Sequence, residues 1–137
     1  MTRLFSKFRI VGIIVAFVTI SFGLNGWAAD KKEIQKQIKN QVDEVVAGID
    51  SGKKVEDFKS FAKKEPYFVF ILEQSGKILL HPFYEGLNMR NISVPALEAV
   101  LKGTAEGLWV EYDAFGTKHA YVRKTKGGLF VGSGYKD

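Results

Sequence analysis

Along this chain the spacing of apolar residues switches between the helical and the strand period, and each switch marks an element. Ile34, Ile38, Val42, Val45, Val46 and Ile49 recur mostly at intervals of three and four, which places them on one face of a helix. Asp30 and Glu33 stand ahead of this run with the spacing of a capping box, so the pattern predicts a helix of about five turns. Its other face, with Lys36, Lys39 and Asp43, reads as solvated surface, and Asp50-Ser51-Gly52 ends it. A shorter helix follows with Val55, Phe58, Phe61 and Ala62 inward, running to Glu65-Pro66, where the proline forbids continuation.

Residues 67–72 are six consecutive apolar positions, too short a run for a typical helix and bounded by Pro66 and by Ser75-Gly76. They predict a strand buried on both faces. Gln74-Ser75-Gly76 then reads as a tight hairpin into a second strand, 77–81, which His81-Pro82 stops. Residues 83–93 keep no period, and an eleven-residue loop is long enough to suspect function. A short helix over 94–101 follows, with Val94, Leu97, Val100 and Leu101 inward, Ser93 as its cap, Pro95 in its first turn and Gly103 past its end. The last third alternates over 108–112, 117–124 and 129–135, with turns at 113–116 and Gly127-Gly128. The order is helix, helix, strand, strand, helix and three strands, an α+β chain whose later joins are short enough for antiparallel pairing.

The first thirty residues follow another pattern. Arg3, Lys7 and Arg9 precede an uncharged run of 13 residues, 10–22, and Gly26-Trp27-Ala28 places small residues where a signal peptidase inspects them. Residues 1–28 are therefore expected to be a signal peptide cut after Ala28, leaving one domain over 29–137. The alternative is an uncut inner-membrane anchor over 10–29, which has the 20 residues a spanning helix needs. Either arrangement exports the domain to the periplasm.

Composition adjusts this picture by exclusion. The leader takes three of the 20 basic residues, so the mature part carries 17 against 15 acidic, and its small positive balance calls for no nucleic-acid partner. With no cysteine, disulfides, thiol catalysis and thiolate metal sites are excluded. There is no His-Glu-x-x-His, Gly-x-Ser-x-Gly or P-loop, and Ser133 between glycines lacks an evident base and acid. The two histidines, His81 and His119, have no acidic cluster beside them to suggest a metal site. No enzyme activity and no cofactor are expected.

Tyr67-Phe68, Gly76, His81-Pro82, Gly86, Gly107, Glu111-Tyr112, Lys118, Tyr121-Val122 and Gly132-Ser133-Gly134-Tyr135 together resemble the single Cache domains, PAS-like sensors outside bacterial membranes. The resemblance runs from the first helix to Tyr135. It implies a five-stranded antiparallel sheet with a long N-terminal helix, and a small pocket between the sheet and the loop-and-helix segment joining its second and third strands. It also implies a small carboxylate as ligand, a chemoreceptor or sensor kinase in the membrane as partner, and a homodimer paired through the long helix. The chain departs from the family where Asn88-Met89-Arg90 replaces the acidic residue common in the long loop, and it shows no second span or cytoplasmic module of its own.

A small carboxylate needs a cation or several donors in a partly dry site, because charge-assisted hydrogen bonds are the strong ones. His81, where the second strand gives way to the loop, can donate to an anion, with protonation favoured by the ligand's charge, or can hold the loop by a backbone hydrogen bond. Arg90 can make a bidentate contact or simply be solvated. Tyr112 shares a face with Leu108 and Val110, so its buried hydroxyl seeks a partner in a ligand or in the core. Lys118 and Tyr121 match the family's Lys-x-x-Tyr step, yet their odd spacing puts them on opposite faces unless the strand bulges or Lys118 lies in the turn. Gly132 and Gly134 clear one face of the last strand, for a ligand or for a packed ring. Two functions follow: a binding module, or an interaction protein with a filled pocket acting through its long helix. A cavity under residues 83–91 lined by His81, Tyr112 and Tyr121 would favour the first.

Overall fold

The structure is a computed structural model that describes residues 26–137, with side-chain surroundings from Asp30 onward. The expected leader lies outside the described residues except for Gly26, Trp27 and Ala28, which begin the first helix. Residues up to Gln35 belong to a separate N-terminal unit, and the unit described below is Lys36–Asp137.

Helix α1 spans Gly26–Asp50. Asp30 and Glu33 therefore lie within the helix and do not cap it. Ile38, Val42, Val45 and Val46 are buried on its inner face, as their period predicts. The flank expected to be solvated is partly engaged. Arg123 donates through Nη1 to Asp43 Oδ1 at 3.0 Å and through Nε to the Ala105 carbonyl at 2.7 Å, and the Lys39 ammonium sits 5.9 Å from the centre of the Tyr121 ring. A 3-10 turn, Val55–Phe58, leads into α2, Lys59–Ala62. This segment stops short of Pro66, since the residue before a proline is pushed out of helical geometry and the chain must leave the helix beforehand.

Strand β1, Val69–Leu72, is buried along its whole length and pairs with β2, Ile78–Leu80. Tyr67 and Phe68 fall outside β1 although their side chains suit a strand. The Tyr67 carbonyl accepts from Gln41 Nε2 at 2.8 Å and the Phe68 carbonyl accepts from Ser133 Oγ at 2.8 Å. The long loop is tied to β2: the Ile78 N–H donates to the Leu87 carbonyl and the Gly86 N–H to the Ile78 carbonyl, at 2.8 and 2.9 Å. It contains a further 3-10 turn, Met89–Asn91, capped by the Asn88 side chain.

Helix α3, Val94–Val100, starts as expected, with Ser93 Oγ accepting from the Ala96 N–H at 3.2 Å. Its buried face carries Ala96, Leu97, Ala99 and Val100, whereas Val94, expected inward, is 44% exposed. The inward face is centred on Ala96, Leu97, Ala99 and Val100, and this leaves Val94 on the outer side. The remaining strands are β3, Leu108–Asp113, β4, Thr117–Lys124, and β5, Phe130–Lys136.

The five strands form one antiparallel sheet in the order β2-β1-β5-β4-β3, so the last strand lies at the centre. Residues 36–50 of α1 meet one face, and α3 with the loop covers the other, where Phe70, Leu72, Leu97, Val100, Ala120, Val122 and Phe130 share a core. On the α1 side Gln41 and Ser133 are buried polar groups. Gln41 Nε2 donates to Ser133 Oγ at 2.7 Å as well as to Tyr67, which joins helix, central strand and the entry to β1 in one hydrogen-bonded chain.

Removing one member of such a chain leaves buried partners unsatisfied, which costs about 1–3 kcal/mol. Ser133→Ala is expected to lower unfolding stability by that amount in urea titrations, with the slope of the transition unchanged. A variant as stable as the parent would show that this chain contributes nothing.

Candidate functional site

The strand register explains why the face away from α1 is hollow. Cα partners across the sheet form rows: Phe70, Gly132, Val122 and Leu108, then Gly134, Ala120 and Val110, then Lys136, Lys118 and Tyr112. In the first row the Phe70 ring occupies the space a side chain on Gly132 would need, so that glycine answers to a packed ring. In the second row Gly134 and Ala120 add almost no bulk, and a trough is left in the sheet. At Gly134 even a methyl group would meet the backbone carbonyl of His119, so the trough cannot be filled from that position. The loop, its 3-10 turn and α3 roof the trough without filling it.

The resulting cavity measures about 310 Å3. Phe68, Phe70, Tyr84, Met89, Ile92, Ala96, Val100, Ala114 and Phe115 supply apolar wall, and His81, Tyr112 and Lys118 are among its polar members. Among the described residues no aspartate or glutamate lines it.

His81 is held by the loop it opens. The backbone N–H groups of Phe83 and Tyr84 donate to its Nδ1 at 3.1 and 3.2 Å. Burial, and secondly the positive charge of Lys118, push its pKa down to about 4. The ring is neutral at neutral pH, with Nδ1 occupied as an acceptor and Nε2 carrying the proton. The loop-holding alternative is realised through these two backbone hydrogen bonds, and a neutral Nε2–H is left at the cavity wall as a donor for an anion.

Burial pushes the Tyr112 pKa up to about 12, so its hydroxyl stays protonated, and among the described residues it has no hydrogen-bond partner. Lys118 is half-buried in the same row and makes no ion pair among the described residues. It is the half-buried cation of the cavity wall, and Lys136, exposed beside it on β5, lines the cavity too.

The structure does not bring the other two candidates to this site. Arg90 lies in the 3-10 turn, exposed and away from the cavity wall. Tyr121 lies on the opposite face, because β4 keeps a regular register through Lys118 and Tyr121 with no bulge to bring them together. Its hydroxyl donates to the Glu106 carbonyl at 3.0 Å, its ring lies 5.4 Å from that of Trp109, and the chain passes so close at Gly107 that only glycine fits. His119 shares that face and sits 3.0 Å from the Asp137 carboxylate, so the two histidines do not meet.

Sequence reasoning missed Phe115. It stands in the turn between β3 and β4 with φ of 59°, lines the cavity and is 76% exposed. Asp113 Oδ1 accepts from the Gly116 N–H at 3.1 Å and closes the turn around it. The available signal was an aromatic residue between Ala114 and Gly116, where turn chemistry favours small or polar residues. Phe68 was missed because it reads as part of a buried strand, and Tyr84 and Met89 because they fall in a loop without a period.

The fold and site define an α+β domain whose central sheet is open on one face to a small, mostly apolar cavity with a single half-buried cation. No protein-family profile and no curated protein sequence matches the chain. Among solved structures the fold is similar to that of a methyl-accepting chemotaxis protein from Vibrio parahaemolyticus RIMD 2210633, with a TM-score of 0.51 and 15% sequence identity, over 80% of this chain and 95% of that one. Among the described residues no helix is long and apolar enough to cross a membrane.

Two outcomes follow for this site. A non-glycine residue in the left-handed region costs about 1–2 kcal/mol, so Phe115→Gly is expected to leave stability unchanged or raise it by up to that amount in urea titrations. A clear loss would show that the exposed ring contributes to the fold. His81 has a folded pKa near 4 against 6.5 when unfolded, so between these values the unfolded chain binds more protons. Its contribution to stability is complete above about 6.5 and is lost as pH falls toward about 4. His81→Asn removes this contribution, so the difference in urea midpoint between parent and variant should change across that window and level off above it. A difference independent of pH would overturn the assignment of a neutral, buried ring.

Proposed function

We propose that this domain is an exported binding module of the Cache type that captures a small organic carboxylate and passes the bound state to a membrane partner, a chemoreceptor or sensor kinase. The observation that carries this reading is the pairing of an unfilled, mostly apolar cavity with the half-buried Lys118 and the exposed Lys136, the unpartnered Tyr112 hydroxyl and the neutral His81 imidazole N–H, with no acid among the described residues that line it. An anion entering there meets a cation and two donors in a partly dry setting, where charge-assisted bonds are strongest. The similarity of fold to a chemotaxis protein supports a sensing role. A leader over residues 1–28, cut or retained as an anchor, would deliver the domain to the periplasm, and α1 is the element through which two copies would pair. The domain is read as non-enzymatic, on the sequence motifs set out above. The unfilled cavity disfavours an interaction protein with a pocket packed by its own side chains.

Binding to the folded form alone raises stability by mass action, about 2.7 kcal/mol at a hundredfold excess over Kd. Thermal unfolding of the purified protein with a panel of small carboxylates should therefore show a concentration-dependent rise in Tm. Lys118→Gln and Tyr112→Phe should each weaken binding, the first by about ten- to a hundredfold, the scale of one charged hydrogen bond. Arg90→Gln should bind as the parent does. A stable fold that no carboxylate shifts would sink the proposal.

A further inference from the structure

We infer that the carboxylate this cavity selects is an aromatic monocarboxylate without an amino group, its ring among Phe68, Phe70, Met89 and Phe115 and its carboxylate at Lys118. This rests on the carboxylate-binding reading above and narrows it.

Size is the first argument. An apolar cavity of about 150 Å3 holds a benzene molecule, and this one has about 310 Å3. A two- or three-carbon acid would satisfy Lys118 and leave most of the apolar wall against water, whereas a ring, a short linker and a carboxylate fill the space. The wall suits a ring as well as a volume. Phenylalanine and tyrosine faces and edges with a nearby methionine thioether give offset, edge-on and sulfur contacts that aliphatic chains do not use.

Phe115 is the second argument, independent of the volume. An aromatic ring 76% exposed on a left-handed backbone is disfavoured twice, by solvent and by sterics. Such strain collects at ligand sites, where a bound group uses the side chain that the fold does not need. Phe115 lines the cavity, so an apolar body lodged there would cover it.

Charge gives the third. With no carboxylate in the wall, the ammonium of an amino acid or amine would be desolvated beside Lys118 with nothing to pair with. The neutral His81 adds a donor and no second charge, so the half-buried part of the site matches a single negative charge.

Calorimetric titration of the purified protein with four sets of probes tests this: phenylacetate and 3-phenylpropionate, acetate and lactate, phenylalanine and phenethylamine, and 2-phenylethanol. The aryl acids should bind at least about tenfold more tightly than acetate or lactate, from the extra apolar area they bury. Phenylalanine and phenethylamine should bind at least about tenfold more weakly than the aryl acids, for want of a counter-charge. Phe115→Gly should weaken the aryl acids and leave the short acids unchanged, while Lys118→Gln weakens both. Short acids as tight as aryl acids, or phenylalanine as tight as 3-phenylpropionate, would overturn this inference and leave the carboxylate reading standing. Phenylethanol as tight as phenylacetate, or no binding by any acid, would instead remove the carboxylate reading itself, and the inference with it.

Discussion

The pairing of β5 between β1 and β4 is the constraint from which the rest of the domain follows. Residues of this central strand alternate between two faces with different chemistry. Val131 and Ser133 face α1, where Ser133 joins Gln41 to the strand entry, and Phe130, Gly132 and Gly134 face the cavity side. A slip of one residue would exchange the two sets. It would place the glycines under α1, move the buried hydroxyl to the wrong face and dismantle the trough. The hydrogen bonds from Gln41 through Ser133 to Phe68 oppose that slip on one side of the sheet, and the fit of the Phe70 ring over Gly132 opposes it on the other.

The cavity is thus a consequence of sheet register, and its electrostatics follow from the same geometry. Lys118 and Tyr112 are paired across β3 and β4, so the cation and the unpartnered hydroxyl arrive together. His81 comes from the opposite edge of the sheet, and the first residues of the loop fix its ring through two backbone donors to Nδ1. One hydrogen-bond pattern sets the start of the loop, selects the tautomer of the histidine and presents a neutral donor to the cavity. The positive charge of Lys118 then adds to burial in keeping that ring unprotonated, so the site holds its charge in one place.

Phe115 shows a different balance. Most of the domain satisfies local preference and tertiary packing together, as in the Ser93 cap of α3 or the buried run of β1. At Phe115 both are violated, with an exposed aromatic on a backbone that suits glycine or asparagine. Conflicts of this kind are expected at functional sites rather than in the scaffold.

The sequence alone was enough for the class of fold, the order of elements, the inner faces of α1 and β1 and the position of the α3 cap. Those features are local, since they depend on period, on capping chemistry and on turn residues within a few positions of each other. Resemblance and strand alternation also singled out His81, Tyr112 and Lys118, the three candidates that the fold gathers on one cavity. Strand alternation already set Lys118 and Tyr121 on opposite faces of a regular strand; only the tertiary structure excluded a bulge, decided which of those faces meets the cavity, and left Arg90 outside it. It turned Val94 outward, engaged Asp43 with Arg123, set the protonation of His81 and placed Phe115 at the cavity. These outcomes depend on register between strands distant in sequence and on how a helix sits on a sheet, and no local pattern encodes either.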